Sequence, residues 1–463
     1  MPDPDPSVGK TPGPDSSTCQ SSGAGQPASA RQSSSAGQPV GPDPGDNRQA
    51  QATQAWLFTA ADGADRRLAQ VAALGQTAQL TLRLGQASAC LAALTEQRSV
   101  AGHDQASLVW ALTTGAGCRA VLGQLRRARA DLTEARQNCQ NAAPLLAEPF
   151  WHFAAVVCNW MAGDWAAALD EAAMLNARHV SSVTPALAGA VAALRADVLR
   201  GVGLQQQSQS FAGPLRASLP AEMSAWALAG LDVDQGHPAT ALRRLADARD
   251  AGGRSVNKGA LPLVLHRTAE IAFSCGNRRV TAQAAADLAA LDQVAPLTAI
   301  LSGLAESYAT GDARPARWAQ QLAEAEGART LAAEALTVRG LIGDAPATTL
   351  AAAHAAWRRI GAPAKARAVA AAMHSAGLPA PAAEDDQWSP RIPADGPESL
   401  TARERSLARL VHEGRTNQQI ASTLHISVKT VEAYLTRLYR KTSCASRVEL
   451  AVAVTERRVE VRD

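Results

Sequence analysis

A glycine recurs along the middle of this 463-residue chain, at Gly85, Gly123, Gly163, Gly203, Gly236, Gly276, Gly311 and Gly343, at intervals of 32 to 40 residues. Five residues after each stands a small residue: Cys90, Ala128, Ala168, Ser208, Ala241, Thr281, Ala316 and Thr348. Apolar residues on both sides follow helical spacing, most clearly over 154–175, where Gly163 joins two such runs. A glycine can end a helix in the left-handed conformation with no Cβ clash. A small residue one turn into the next helix lets the returning backbone come close. Two helices and their turn occupy roughly 34–47 residues in helical repeats. A single hairpin cannot cover its own apolar face, so neighbours stack into a solenoid. Composition agrees, because 46% of residues are hydrophobic but only 4% aromatic. A core of Ala, Leu and Val favours helices.

These observations predict an all-α chain in four parts. Residues 1–50 hold 9 Pro, 9 Ser and 7 Gly and almost no large apolar side chain, so burial cannot offset their ordering entropy. They read as a disordered tail. Residues 51–378 form the solenoid, which resembles the tetratricopeptide-like regions of bacterial regulators and is expected to sense or to dock a partner. Residues 379–399 hold five Pro and the acidic run Glu384-Asp385-Asp386, which rule out a long helix and read as a linker carrying Trp388. Residues 400–463 are the fourth part. They hold 12 Lys+Arg against 7 Asp+Glu, a net +5 in a chain of formal charge +3. Positive charge therefore concentrates where a phosphate-binding module would need it.

The last part reads as four short helices. Thr401-Ala-Arg-Glu404 is a capping box opening a helix with Leu407, Leu410 and Val411 on one face, ended by Gly414. Thr416-Asn-Gln-Gln419 is a second, ahead of Ile420, Ala421 and Leu424. After a turn at His425-Ile426, Ser427 caps a helix whose Val428, Val431, Leu435 and Leu438 form one stripe. Ser446-Arg-Val-Glu449 opens a fourth helix through Leu450, Val452 and Val454. A tight turn between the second and third helices defines a helix-turn-helix, whose third helix enters the major groove. The face of that helix opposite its stripe carries Lys429, Thr430, Glu432, Ala433, Thr436, Arg437, Arg440 and Lys441. Its cations suit phosphates, and its short side chains suit close approach to base edges.

The strings Leu400-Thr-x-Arg-Glu404, Gly414-x-Thr-Asn417-x-x-Ile420-Ala421, Ile426-Ser427-x-x-Thr430-Val431 and Ser446-Arg447-x-Glu449-Leu450 resemble the LuxR-type helix-turn-helix domain over about 60 residues. That resemblance implies a bacterial transcription regulator whose recognition helix spans Val428–Thr442. It implies base contacts by Glu432, Ala433 and Thr436, and backbone contacts by Lys429, Thr430, Arg437, Arg440 and Lys441. Asn417 and Gln418 join the DNA-binding set, and the last helix would mediate a homodimer. Glu432 can accept only from a base amino group such as that of cytosine. Thr442-Ser443-Cys444 stands where the family has a Leu-Gly turn. A repeat region ahead of this domain resembles the C-terminal part of large ATP-binding LuxR-family regulators of the maltose-activator kind. No GxxxxGK[ST] phosphate loop occurs, so their ATP switch is not carried over.

The seven cysteines show no CxxC or CxxH pairing and read as reduced thiols. No HExxH, GxSxG or export signal occurs. A cytoplasmic non-enzyme is expected, with no cofactor, metal or membrane contact. Its partners would be double-stranded DNA, a second copy of itself, and RNA polymerase or an effector ligand or protein. A protein-interaction scaffold with a vestigial DNA-binding domain is the alternative. The basic face of 429–441 distinguishes the two. Trp160 and Trp165 read as packing residues, with a ligand groove as the second reading.

Overall fold

The computed structural model describes residues 63–139, 148–178, 185–216, 221–254, 258–379, 400 and 402–424, then 426, 428–442, 444, 447, 450, 451 and 454. The expected tail and residues 380–399 of the expected linker, with Trp388, lie outside them. Every described element is a helix.

Eight hairpins follow one another among the described residues. They pair α1 (Gly63–Arg83) with α2 (Ala87–Ala101), α3 (Gln105–Leu122) with α4 (Leu125–Asn138), and α5 (Glu148–Ala162) with α6 (Trp165–Arg178). Next come α7 (Pro185–Val202) with the short α8 (Gln205–Ser210), followed by α9 (Ala212–Arg216). Then α10 (Ala221–Asp234) pairs with α11 (Pro238–Arg254), α12 (Leu261–Ser274) with α13 (Arg278–Ala289), α14 (Pro296–Thr310) with α15 (Ala313–Glu326), and α16 (Arg329–Leu341) with α17 (Pro346–Ile360). Helix α18 (Pro363–Ser375) packs on α17. This is a tetratricopeptide-like array of helical hairpins.

Each of the eight repeating glycines sits at the turn of one hairpin with φ between +69° and +94°. At Gly163 the glycine N–H donates to Trp160 O at 3.3 Å and the Asp164 N–H to Asn159 O at 2.9 Å. These two bonds satisfy carbonyls that the helix end would otherwise orphan. Gly327, Gly361 and Gly377 end α15, α17 and α18 in the same way, a second set that the one-per-repeat reading passed over. Seven of the eight small residues are buried where helix crosses helix. The eighth is displaced: Thr348 is exposed and Thr349 is buried in its place. The turn after Gly343 is one residue longer, with Ala345 at φ +47°, so the helical register slips by one.

The array winds tightly enough for helices five hairpins apart to meet. Arg329 at the start of α16 donates from Nε to Ala162 O at 2.5 Å and from Nη2 to Asp164 at 2.6 Å. The Thr330 hydroxyl and the Trp165 indole N–H both donate to Trp160 O, at 2.6 and 3.1 Å. The Trp165 ring lies 6.1 Å from that of Trp357. Trp165 is therefore a core residue joining two turns of the winding. Gly123 meets Leu297 across the same seam, where an added Cβ would lie 2.5 Å from the Leu297 nitrogen. At Gly276 nothing lies within 4 Å. Alanine at either position meets the left-handed penalty of about 1–2 kcal/mol, and only Gly123→Ala adds overpacking of about 1–3 kcal/mol. Denaturant titration should show the larger loss for Gly123→Ala, and equal losses would deny the seam.

Inside the winding lies a buried charge network. Asp197 on α7 accepts from Arg267 of α12 at 3.0 Å and from Arg200 at 3.3 Å. Arg200 also reaches Asp234 at 3.3 Å, and Lys365 of α18 lies 3.8 Å from Glu270 and 3.7 Å from Glu334. The Arg267 guanidinium stacks 4.6 Å from the Trp226 ring. Burial alone would raise the Asp197 carboxyl, but the charges of Arg267, Arg200 and Lys365 outweigh it and hold it at about 2. Glu270 is held at about 2 as well: burial opposes, and Lys365, Arg267, His266 and Arg200 prevail. Gly230 is part of this arrangement, since a Cβ there would lie 2.6 Å from Arg267 Nη1 and 2.9 Å from Arg200 Nε.

Candidate nucleic-acid interface

The C-terminal helices are α19 (Ala402–His412), α20 (Asn417–Leu424) and α21 (Val428–Thr442). Helical backbone returns at Arg447, Leu450, Ala451 and Val454. Gly414, at φ +76°, closes α19: its N–H donates to Val411 O and the Arg415 N–H to Leu410 O. Thr416 and Gln419 form the expected reciprocal cap. The Gln419 side chain accepts the Thr416 N–H at 2.8 Å, and the Thr416 hydroxyl accepts the Gln419 N–H at 3.2 Å. The Ile426 N–H donates to Ala421 O at 2.9 Å, which turns the chain sharply from α20 toward α21. Thr401 and Ser446, the leading residues of the other two expected boxes, lie outside the described residues.

One apolar cluster holds these elements together. Leu407, Leu410 and Val411 of α19 pack with Ile420 and Ala421 of α20, with Val431, Leu435 and Leu438 of α21, and with Leu450 and Val454 beyond it. Of the stripes read from spacing, Leu424 and Val428 are half-buried, Val452 lies outside the described residues, and the others are buried. Cys444 is buried too, and its N–H donates to Tyr439 O at 2.9 Å, which closes α21 where the family pattern has Leu-Gly.

The expected DNA-contacting residues divide into four groups. Glu432 and Gln418 are exposed. Asn417 is half-buried and its Oδ1 accepts from Arg447 Nη1 at 3.0 Å. Thr430 is only 4% exposed, so its side chain lies within the domain. Lys429, Ala433, Thr436, Arg437, Arg440 and Lys441 occupy helical positions of α21, with side chains outside the described ones. Two further residues stand outside the expected DNA-contacting set. Arg447 binds Asn417 and also donates to Arg415 O, tying the start of α20 to the last segment. Tyr434, on α21, meets the sulfur of Met174 through its hydroxyl, and Met174 of α6 is buried in the C-terminal cluster.

A helix-turn-helix with this element order and core defines the class: a DNA-binding domain. The family model of bacterial regulatory proteins of the luxR family matches residues 398–454. This segment is a LuxR-family helix-turn-helix domain. An HTH-type transcriptional regulator of Mycobacterium bovis is 50% identical over 58 residues, covering 12% of this chain and 7% of that one. The DNA-binding transcriptional activator DevR/DosR of Mycobacterium tuberculosis is 44% identical over 57 residues, 12% of this chain and 26% of its own. The two-component response regulator PprB of Pseudomonas aeruginosa is 42% identical over 77 residues, 17% and 27%. The shared stretch thus spans 7 to 27% of the length of these three relatives. Among solved structures, a Rap protein complexed with competence and sporulation factor is similar at a TM-score of 0.41 and 13% identity. It covers 82% of this chain and 99% of that one.

Proposed function

We propose that the chain is a sequence-specific, DNA-binding transcription regulator that places Val428–Thr442 in the major groove. The observation that carries this reading is the fixed presentation of α21: Val431, Leu435 and Leu438 are buried while Glu432 is exposed. Positions 429, 433, 436 and 440 fall three, one, four and eight residues from Glu432 on the same helix. Glu432, Ala433 and Thr436 then read base edges, while Lys429, Arg437, Arg440 and Lys441 meet phosphates. Gln418 and Asn417 approach the backbone from the start of α20, where the helix N-terminus favours an anion. Arg447 orients Asn417. Thr430 serves from within by packing rather than by reaching phosphate. A homodimer through the last helix would match a two-fold operator. The chain acts by binding in the cytoplasm and not by catalysis.

The repeat region, bounded in this reading as 51–378 and tethered by 379–399, governs access to α21. The Tyr434–Met174 contact supports that reading, because it sets one side chain of the recognition helix against the repeat region. Substitution separates base from backbone contacts. Arg437→Ala and Lys441→Ala should each weaken binding to all DNA and lower the slope of log affinity against log salt by about one unit. Thr436→Ala should instead change sequence preference at a similar slope. Electrophoretic or fluorescence titrations across salt concentrations distinguish them, and unchanged slopes would remove Arg437 and Lys441 from the interface.

A further inference from the structure

The winding of the repeat region leaves a half-open pocket with a volume of about 190 Å³. Its walls come from the first helices of successive hairpins: Leu82 and Arg83 of α1, Cys118 and Val121 of α3, Phe153, Val157 and Trp160 of α5, and Leu187 and Ala190 of α7. Leu263 of α12 and Leu297 of α14 close it from the other turn. It exists because the superhelix meets itself at Gly123–Leu297, and at Arg83, whose carbonyl accepts the Lys258 N–H at 2.5 Å, while the side chains between do not fill the axis. A dry apolar cavity of about 150 Å³ in a packed core is enough to take up benzene. An unfilled one forfeits dispersion contacts all round its lining.

The chemistry of this lining is lopsided. Gln79 and Arg83 stand one helical turn apart on α1 and supply a cation and an amide at one side. Thr114 of α3 adds a hydroxyl, and the lining from α5, α7 and α12 is aliphatic and aromatic. We propose that the cavity binds a small amphiphile, its apolar body between Phe153, Val157, Trp160 and Leu263 and a carboxylate end toward Arg83 and Gln79. A planar guanidinium pairs with a carboxylate through parallel hydrogen bonds. The few polar groups of an otherwise apolar pocket fix a ligand's orientation. As the effector that controls DNA access, this ligand rests on the regulator reading above. As a ligand of the repeat region, it rests on the cavity alone.

The test uses the full chain, no DNA, and two probes with one body: octanoate and octanol. Titration calorimetry, with Trp fluorescence as a second readout because Trp160 borders the cavity, should show saturable binding of both. Octanoate should bind about tenfold more tightly. Ala190→Phe fills the space from α7 and should abolish both while melting stays cooperative. Arg83→Gln changes a partly exposed residue and should bring octanoate down to octanol with octanol unchanged. Absence of saturable binding to the native chain would overturn the site. Unchanged binding in a folded Ala190→Phe chain would place the ligand elsewhere and overturn it too. Equal affinity for the two probes would overturn the carboxylate end. DNA binding could persist in every one of these cases, so failure here is distinct from failure of the regulator reading.

Discussion

Replacing Asp197 by Ala should destabilise the repeat region by about 3–5 kcal/mol, the cost of removing one partner from a buried ion pair. The carboxylate is 8% exposed and accepts from both Arg267 and Arg200. Its loss leaves two guanidinium groups in the winding with less than their complement of negative charge. Asp234 lies 3.3 Å from Arg200 and Glu270 3.5 Å from Arg267, so each guanidinium keeps one carboxylate and loses the one they share. The effect depends on pH. A carboxyl held at about 2, below its ordinary value near 4, contributes stability that is complete above the ordinary value. That contribution is lost as pH falls toward 2. The gap between native chain and Asp197→Ala should therefore be widest near neutrality and narrow between about pH 4 and 2. Urea unfolding followed by circular dichroism at several pH values measures it. A gap independent of pH would mean that Asp197 does not carry the network.

Val431→Asp should abolish DNA binding while leaving the repeat region folded. Val431 has no exposed surface and sits where α19, α20 and α21 meet. An aspartate there either buries a charge or takes up a proton to avoid doing so, and it also leaves a misfitting, polar side chain in a small core. The expected cost exceeds about 4 kcal/mol, in the range where single substitutions unfold small domains. Among the described residues the cluster holding Val431 takes in one residue of the repeat helices, Met174, so the damage should stay local. Helical content should fall only by the share of the last segment, and affinity for DNA should drop more than about 100-fold. Retained binding would show that α21 is not the reading element.

Local signals in the sequence were strong wherever backbone geometry leaves few alternatives. The eight glycines mark the eight hairpin turns because a left-handed helix end tolerates almost nothing else. The Thr416–Gln419 cap and the Val431, Leu435, Leu438 stripe were likewise visible from spacing. The Thr348 position slipped because one additional turn residue, Ala345, shifts the register, and nothing in the local sequence announces a left-handed alanine. Contacts between turns of the winding had no signal at all. Arg329 finds Ala162 and Asp164, and Arg267 finds Asp197, across 70 to 167 residues. Such pairings depend on the superhelical pitch, which sums many small packing angles. Arg447 on Asn417 and Tyr434 on Met174 are likewise set by tertiary packing, with no local signal. The cavity is also a property of pitch. Spacing raised Trp160 and Trp165 together, yet Trp165 is locked into the seam and Trp160 borders the space.

The most direct test of the central claim is to incubate the full chain with fragmented bacterial genomic DNA over a salt series and sequence what stays bound. The account predicts enrichment of a two-fold symmetric site that survives moderate salt and is lost in Val431→Asp. Binding that shows no sequence preference, disappears with modest salt and is unaltered by Val431→Asp would contradict it.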